Sequence, residues 1–173
     1  KKLPHYGGLE AHLGILVLEK YFNDQGNGQP QHNTVPQKIY KMSRNWFDLA
    51  IQKNPRDLFI YTELLRIESF LGYSDNILKV MHKVLNSIPK KAFKANPELG
   101  KFFMTIQHSF RDSFAITEPL QTWAKFSVLC RKLFVDTQFE NDAKDIIKGM
   151  VPDTKYDAFQ KWLLLADDEE RLK

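Results

Sequence analysis

The side chains in this chain that could carry chemistry are one cysteine, five histidines, a group of carboxylates and a run of lysines, and their spacing decides what they can do. A nucleophilic Cys130 would need a histidine held against it. It lies instead in the apolar run Phe126-Ser127-Val128-Leu129-Cys130-Arg131-Lys132-Leu133-Phe134, and the chain has no nucleophile-elbow motif. Cys130 therefore reads as a small core hydrophobe. His5, His12, His32, His82 and His108 show neither i,i+4 pairing nor cysteine partners, so no zinc site is expected. Gly7 with Gly8, and Gly26 with Gly28, lack the preceding strand and the trailing Lys-Ser/Thr of a phosphate-cradling loop. Asp136, Glu140, Asp142 and Asp145 gather around a helix start, where negative charge suits the dipole. No catalytic, cofactor-binding or metal-ligating residue is assigned.

Lysines are the most suggestive feature. Lys79, Lys83, Lys90, Lys91, Lys94 and Lys101 fall within 23 residues, and Glu98 is the only nearby opposing charge. Lys79 and Lys83 share a helical face, and Lys90, Lys91 and Lys94 follow at the helix end. Such a turn suits phosphates gripped in a salt-dependent way, with Phe93 as a base-stacking candidate. It equally suits a solvated face with cations at a helix C-terminus, and Phe93 tucked into the core.

The elements that must position these groups are helical throughout. Apolar positions recur at spacings of three and four, and no run alternates strictly. A first helix is expected over 8–22 with Leu9, Leu13, Leu16, Val17 and Tyr21 facing inward, and then an exposed, mobile loop over 23–36 with two glycines and two prolines. The next helix starts near Pro36 and carries Tyr40, Ser43, Trp46, Phe47 and Ala50. A helix over 56–71 is apolar nearly all round and must be covered on two sides. It is the expected central element. Gly72 suits the left-handed stop and Ser74 the cap of a helix with Ile77, Met81, Val84, Leu85 and Ile88 inside, closed by Pro89. Asn96-Pro97 opens a helix carrying Leu99, Phe102, Phe103, Ile106 and Phe110. A connection over 113–116 leads to a long helix with Leu120, Trp123, Ala124, Val128 and Leu133. Thr137-Gln138-Phe139-Glu140 matches a capping box for a helix running to about Gly149. The last helix begins at Pro152-Asp153 with Tyr156, Phe159, Leu163 and Ala166 inside, and the acidic end over 167–173 trails into solvent.

About eight helices joined by short links favour antiparallel hairpins, in an irregular helical bundle or a short solenoid-like array. With 43% hydrophobic residues, 13 Phe and a net charge of +4, the 173 residues suit one all-α domain that buries its own core. The longest apolar stretches, 13–18 and 58–61, are far short of the roughly 20 residues that cross a bilayer, so no membrane insertion is expected. The single cysteine favours a reducing, intracellular compartment, with cytoplasm, nucleus and mitochondrion equally open.

Pro55 and Pro89 stand 34 residues apart, each after an amphipathic helix, and Tyr61, Leu64, Ile77, Met81 and Val84 fill the apolar positions between them. Residues 46–89 thus resemble tetratricopeptide-type repeats. The same stretch, with Tyr61, Leu64 and Leu65, Gly72 and Met81, is also similar to a pentatricopeptide repeat. Leu65 departs from the first pattern, where a small residue belongs, and no third copy follows from Lys90 onward. The tetratricopeptide resemblance implies a concave groove for a peptide or partner helix. The pentatricopeptide resemblance implies RNA binding in an organelle, with Thr62 at a base-reading position and Ala92 where its Asn or Asp partner belongs. The chain accordingly reads as a non-enzymatic scaffold or adaptor that binds another protein through a groove between hairpins, without a cofactor. Trp46, Trp123 and Trp162 are candidate contact aromatics, although each also suits the core. The alternative is an RNA-binding module using the lysines, and a third class is an enzyme whose site is assembled from distant residues.

Overall fold

The computed structural model describes residues 8–25, 35–113, 119–147 and 150–171, and all its regular elements there are helical. They are α1 (Gly8–Asp24), α2 (Gln37–Lys53), α3 (Leu58–Phe70), α4 (Ser74–Ser87), α5 (Lys90–Lys94), α6 (Leu99–Ser113), α7 (Leu120–Phe134), α8 (Glu140–Lys144) and α9 (Tyr156–Arg171). The chain is all-α, as the periodicity implies. Most of the loop expected over 23–36 and the connection 114–118 lie outside the described residues, as do His5, His32, Gly7, Gly26 and Gly28.

Helix boundaries follow local chemistry. The Asp57 carboxylate caps α3 by accepting from the Phe59 N–H at 3.0 Å, and Asn96 does the same for Glu98 N–H at 2.9 Å before α6. Gly72, at φ 73°, ends α3 in a Schellman turn: Tyr73 N–H donates to Glu68 C=O and Gly72 N–H to Ser69 C=O. Ser74, expected as the next cap, is instead the first helical residue, and Tyr73 occupies the cap without a side-chain bond. Around Thr137 the capping contacts are displaced. Thr137 Oγ1 accepts from Phe139 N–H, and the Glu140 carboxylate reaches Asp136 N–H rather than Thr137. The helix expected to reach Gly149 stops at Lys144 and gives way to turns.

Helices α1 and α2 pack antiparallel along their length. In α1 and α2, Glu10 pairs with Lys53 while Ser43 donates to Gly14 C=O at 2.7 Å. Beyond this pair, α3 packs on α1, α2, α4 and α6, and α7 packs on α4, α8 and α9. Thus α1, α3 and α6 are successive neighbours on one side, and α4, α7 and α9 on the other. As expected, α3 is central: Leu58, Ile60, Tyr61, Leu64 and Leu65 are fully buried. Phe93, Phe102, Phe103, Phe134 and Phe139 form a ring cluster that joins α5, α6, α7 and the start of α8. Phe93 belongs to this core and is not offered to a base.

Two faces differ from expectation. Helix α1 buries Glu10, Ala11, Gly14 and Leu18, whereas Leu9 (68% exposed) and Leu16 (53%) point to solvent. Small residues let α1 approach α2 closely: a Cβ on Gly14 would sit 2.7 Å from the Phe47 ring. Helix α9 buries Phe159, Leu163 and Ala166, but Tyr156 is exposed. Its acidic end does not trail away. Glu170 lies against Lys132 and His82, and Glu169 against Lys125, so the helix continues to Arg171 along α7.

Candidate docking groove

Between α1 and α3 lies an open groove of about 270 Å³. Its walls are Ile15, Leu18 and Phe22 from α1 and Ile67 and Phe70 from α3, with Glu19 and Arg66 at the rim. The 3.6-residue helical period brings 15, 18, 19 and 22 to one side of α1, and 66, 67 and 70 to one side of α3. Phe22 and Phe70 meet edge to face with centroids 5.4 Å apart, which fixes one end. The lining is apolar and open enough to accept one or two side chains of another protein.

Behind the groove α2, α3 and α4 are latched together by a buried carboxylate. Glu68 of α3 is fully buried and accepts from Tyr40 Oη of α2 at 3.0 and 3.1 Å and from Asn76 Nδ2 of α4 at 3.0 Å. Arg44 Nη1 stands 3.1 Å away as the counter-charge. Burial pushes the Glu68 carboxyl above the ordinary Glu range, while Arg44, Asn76 and Tyr40 draw it back. The Tyr40 phenol is pushed well up, first by its own burial and then by Glu68. A second partly hidden carboxylate, Glu63, binds Lys101 at 3.0 Å and Arg66 at 2.7 Å, which ties the rim arginine to α3 and α6.

Four of the six lysines face carboxylates of the same chain. Lys90 and Lys94 both contact Asp136 Oδ2 at 3.0 Å, Lys83 faces Asp48 at 3.4 Å, and Lys101 binds Glu63 and lies over the Phe59 ring, 5.3 Å from its centroid. Lys79 and Lys91 are exposed. Lys90 and Lys94 hold the Asp136 carboxyl below the usual range. Asp136 itself sits at φ 58°, a conformation Asp tolerates better than most residues, at the end of α7. Thr62, the base-reading candidate, is buried and donates to Leu58 C=O at 2.8 Å. Of the tryptophans, Trp123 is buried, Trp46 half-buried and Trp162 exposed.

No family model matches the chain, and neither a curated protein nor a solved structure does. The reading of the site thus rests on its own geometry. Cys130 is buried, and burial pushes its thiol well up, which makes it a poor nucleophile. Among the described residues no three His, Cys, Asp or Glu side chains are placed to hold a metal ion, and no helix is long and apolar enough to cross a membrane. Sequence spacing did not find the groove, because Ile15, Leu18 and Phe22 lie outside the leucine stripe that marks α1 most strongly.

Proposed function

We propose that the chain is a non-enzymatic helical scaffold that binds another protein by taking apolar side chains into the groove between α1 and α3. The observation that carries this reading is an open, apolar recess with charged groups only at its rim, on a face built by two rigid helices. Ile15→Glu and Phe70→Lys put a charge into the recess from either wall at positions that are only partly covered. Proteins retained from native extract by the unaltered chain should be lost from both variants, with melting curves unchanged. Retention of the same proteins by both variants would reject the groove.

RNA binding through Lys79, Lys83, Lys90, Lys91, Lys94 and Lys101 has less support, because four of these ammonium groups already face carboxylates of the same chain. Its test is retention on RNA in low salt. Weak retention, unchanged in the Lys90→Glu, Lys91→Glu, Lys94→Glu triple variant, is the result that favours the scaffold.

A further inference from the structure

The recess between α1 and α3 is bounded by rings at both ends. Phe22 meets Phe70 at one, and at the other His12 stacks on Phe59 with centroids 5.6 Å apart. The contacts 12–59 and 22–70 advance together along the chain, so α1 and α3 run parallel. At about 1.5 Å per residue, the stretch from His12 to Phe22 is about 15 Å long, close to three turns of a further helix. Both walls are helices, whose backbone N–H and C=O groups bond within their own helix. The floor, Ile15, Leu18 and Ile67, offers no hydrogen-bonding side chain. An extended peptide laid there would leave its covered backbone groups without partners, whereas a helix brings its backbone bonds with it. The occupant that fits this recess is therefore helical, with apolar side chains one turn apart pointing in.

One charged side chain flanks the recess on each wall. Glu19 of α1 is exposed and forms no ion pair among the described residues. On the other wall, Arg66 of α3 and Lys101 of α6 share a single carboxylate, Glu63, at 2.7 and 3.0 Å, and their own side chains stay 62% and 53% exposed. Two cations on one anion leave that wall with a surplus positive charge. Lys20 and Asp24, the other charges on this half of α1, lie on its far side, and Glu68 is buried behind the groove against Arg44. The rim is thus negative along α1 and positive along α3.

We propose that the groove takes an amphipathic helix of a partner protein, with its apolar stripe in the recess, a lysine or arginine on the flank that meets Glu19 and an aspartate or glutamate on the flank that meets Arg66. This rests on the scaffold reading and specifies its partner. Glu19 and Arg66 are then the residues that select among apolar helices: one with cations on both flanks is repelled by Arg66, and one with carboxylates on both is repelled by Glu19.

The probe is a library of random phage-displayed peptides, long enough for about four helical turns, selected on the unaltered chain. Enriched sequences should lack proline, carry apolar residues at i and i+3 or i+4, and bear a base on one flank of that stripe and an acid on the other. Selection on Ile15→Glu should enrich none of them. Arg66→Glu should turn the acidic flank to lysine or arginine, and Glu19→Lys should turn the basic flank to aspartate or glutamate. The leading peptide, made synthetically, should bind each variant about tenfold more weakly than the unaltered chain, and regain its affinity once its residue on that flank is reversed in charge. Glu19→Lys leaves the ion pairs of Glu63 untouched, so it carries the test alone should Arg66→Glu melt early. Extended or proline-rich winners, or helical winners whose flanks do not respond to either variant, would overturn the proposal, and the groove would survive them if Ile15→Glu abolishes their binding. No enrichment, or enrichment that Ile15→Glu leaves unchanged, would overturn both.

Discussion

Glu68 shows how one residue can tie three helices together at a cost that depends on pH. Its carboxyl is raised in the folded chain, chiefly by burial, above the ordinary 4.5. The folded state therefore holds the proton more tightly than the unfolded state does, and the stability this gives is complete below 4.5 and lost as pH rises through the raised value. From pH 5 to pH 8 the unaltered chain should lose melting temperature, and Glu68→Gln should lose less, because it has no proton to release. Parallel melting curves for the two, followed by circular dichroism, would contradict this assignment. Asp57 is raised for the same leading reason and contributes a slope of the same sign, which the comparison with Glu68→Gln subtracts.

At the scale of the element, α1 is where hydrophobic spacing misleads. Leucines at 9, 13 and 16 make the stronger stripe, yet the face that packs on α2 is Ala11, Gly14 and Leu18, because contact there requires small side chains more than greasy ones. Gly14→Ala tests that close approach. In an ordinary helix it would gain about 1 kcal/mol of propensity. Here the new methyl meets the fully buried Phe47 ring at 2.7 Å and Ser43 C=O at 3.0 Å, and overpacking of this kind costs typically 1–3 kcal/mol. A net loss, on the order of 1 kcal/mol in urea unfolding, is expected; a stabilised variant would mean the helices can part freely. Other elements were plainly legible. The two-sided apolar pattern of α3 marks its central place, Gly72 its stop and Asn96 the cap before α6. The lysines were less legible because their counter-charges, Asp48, Glu63 and Asp136, come from 35 to 46 residues away in sequence, a distance no local pattern spans. The anchored end of α9 was hidden for the same reason, since Glu170 is held by Lys132 and His82.

For the whole molecule, the stack has a protected middle and two lightly held ends. Amides of α3 should exchange only through global unfolding, whereas those of α1 and α9, each with an exposed face, should exchange through smaller openings. Hydrogen exchange followed by mass spectrometry reads this directly, and equal protection across the chain would refute it. Between middle and ends, fully buried in α7, sits the one sulfhydryl of the chain. Because it is sealed by its neighbours and stripped of acidity, an alkylating reagent can mark it only while α7 swings clear. Its labelling rate thus becomes a built-in clock for that excursion, with no engineered probe required.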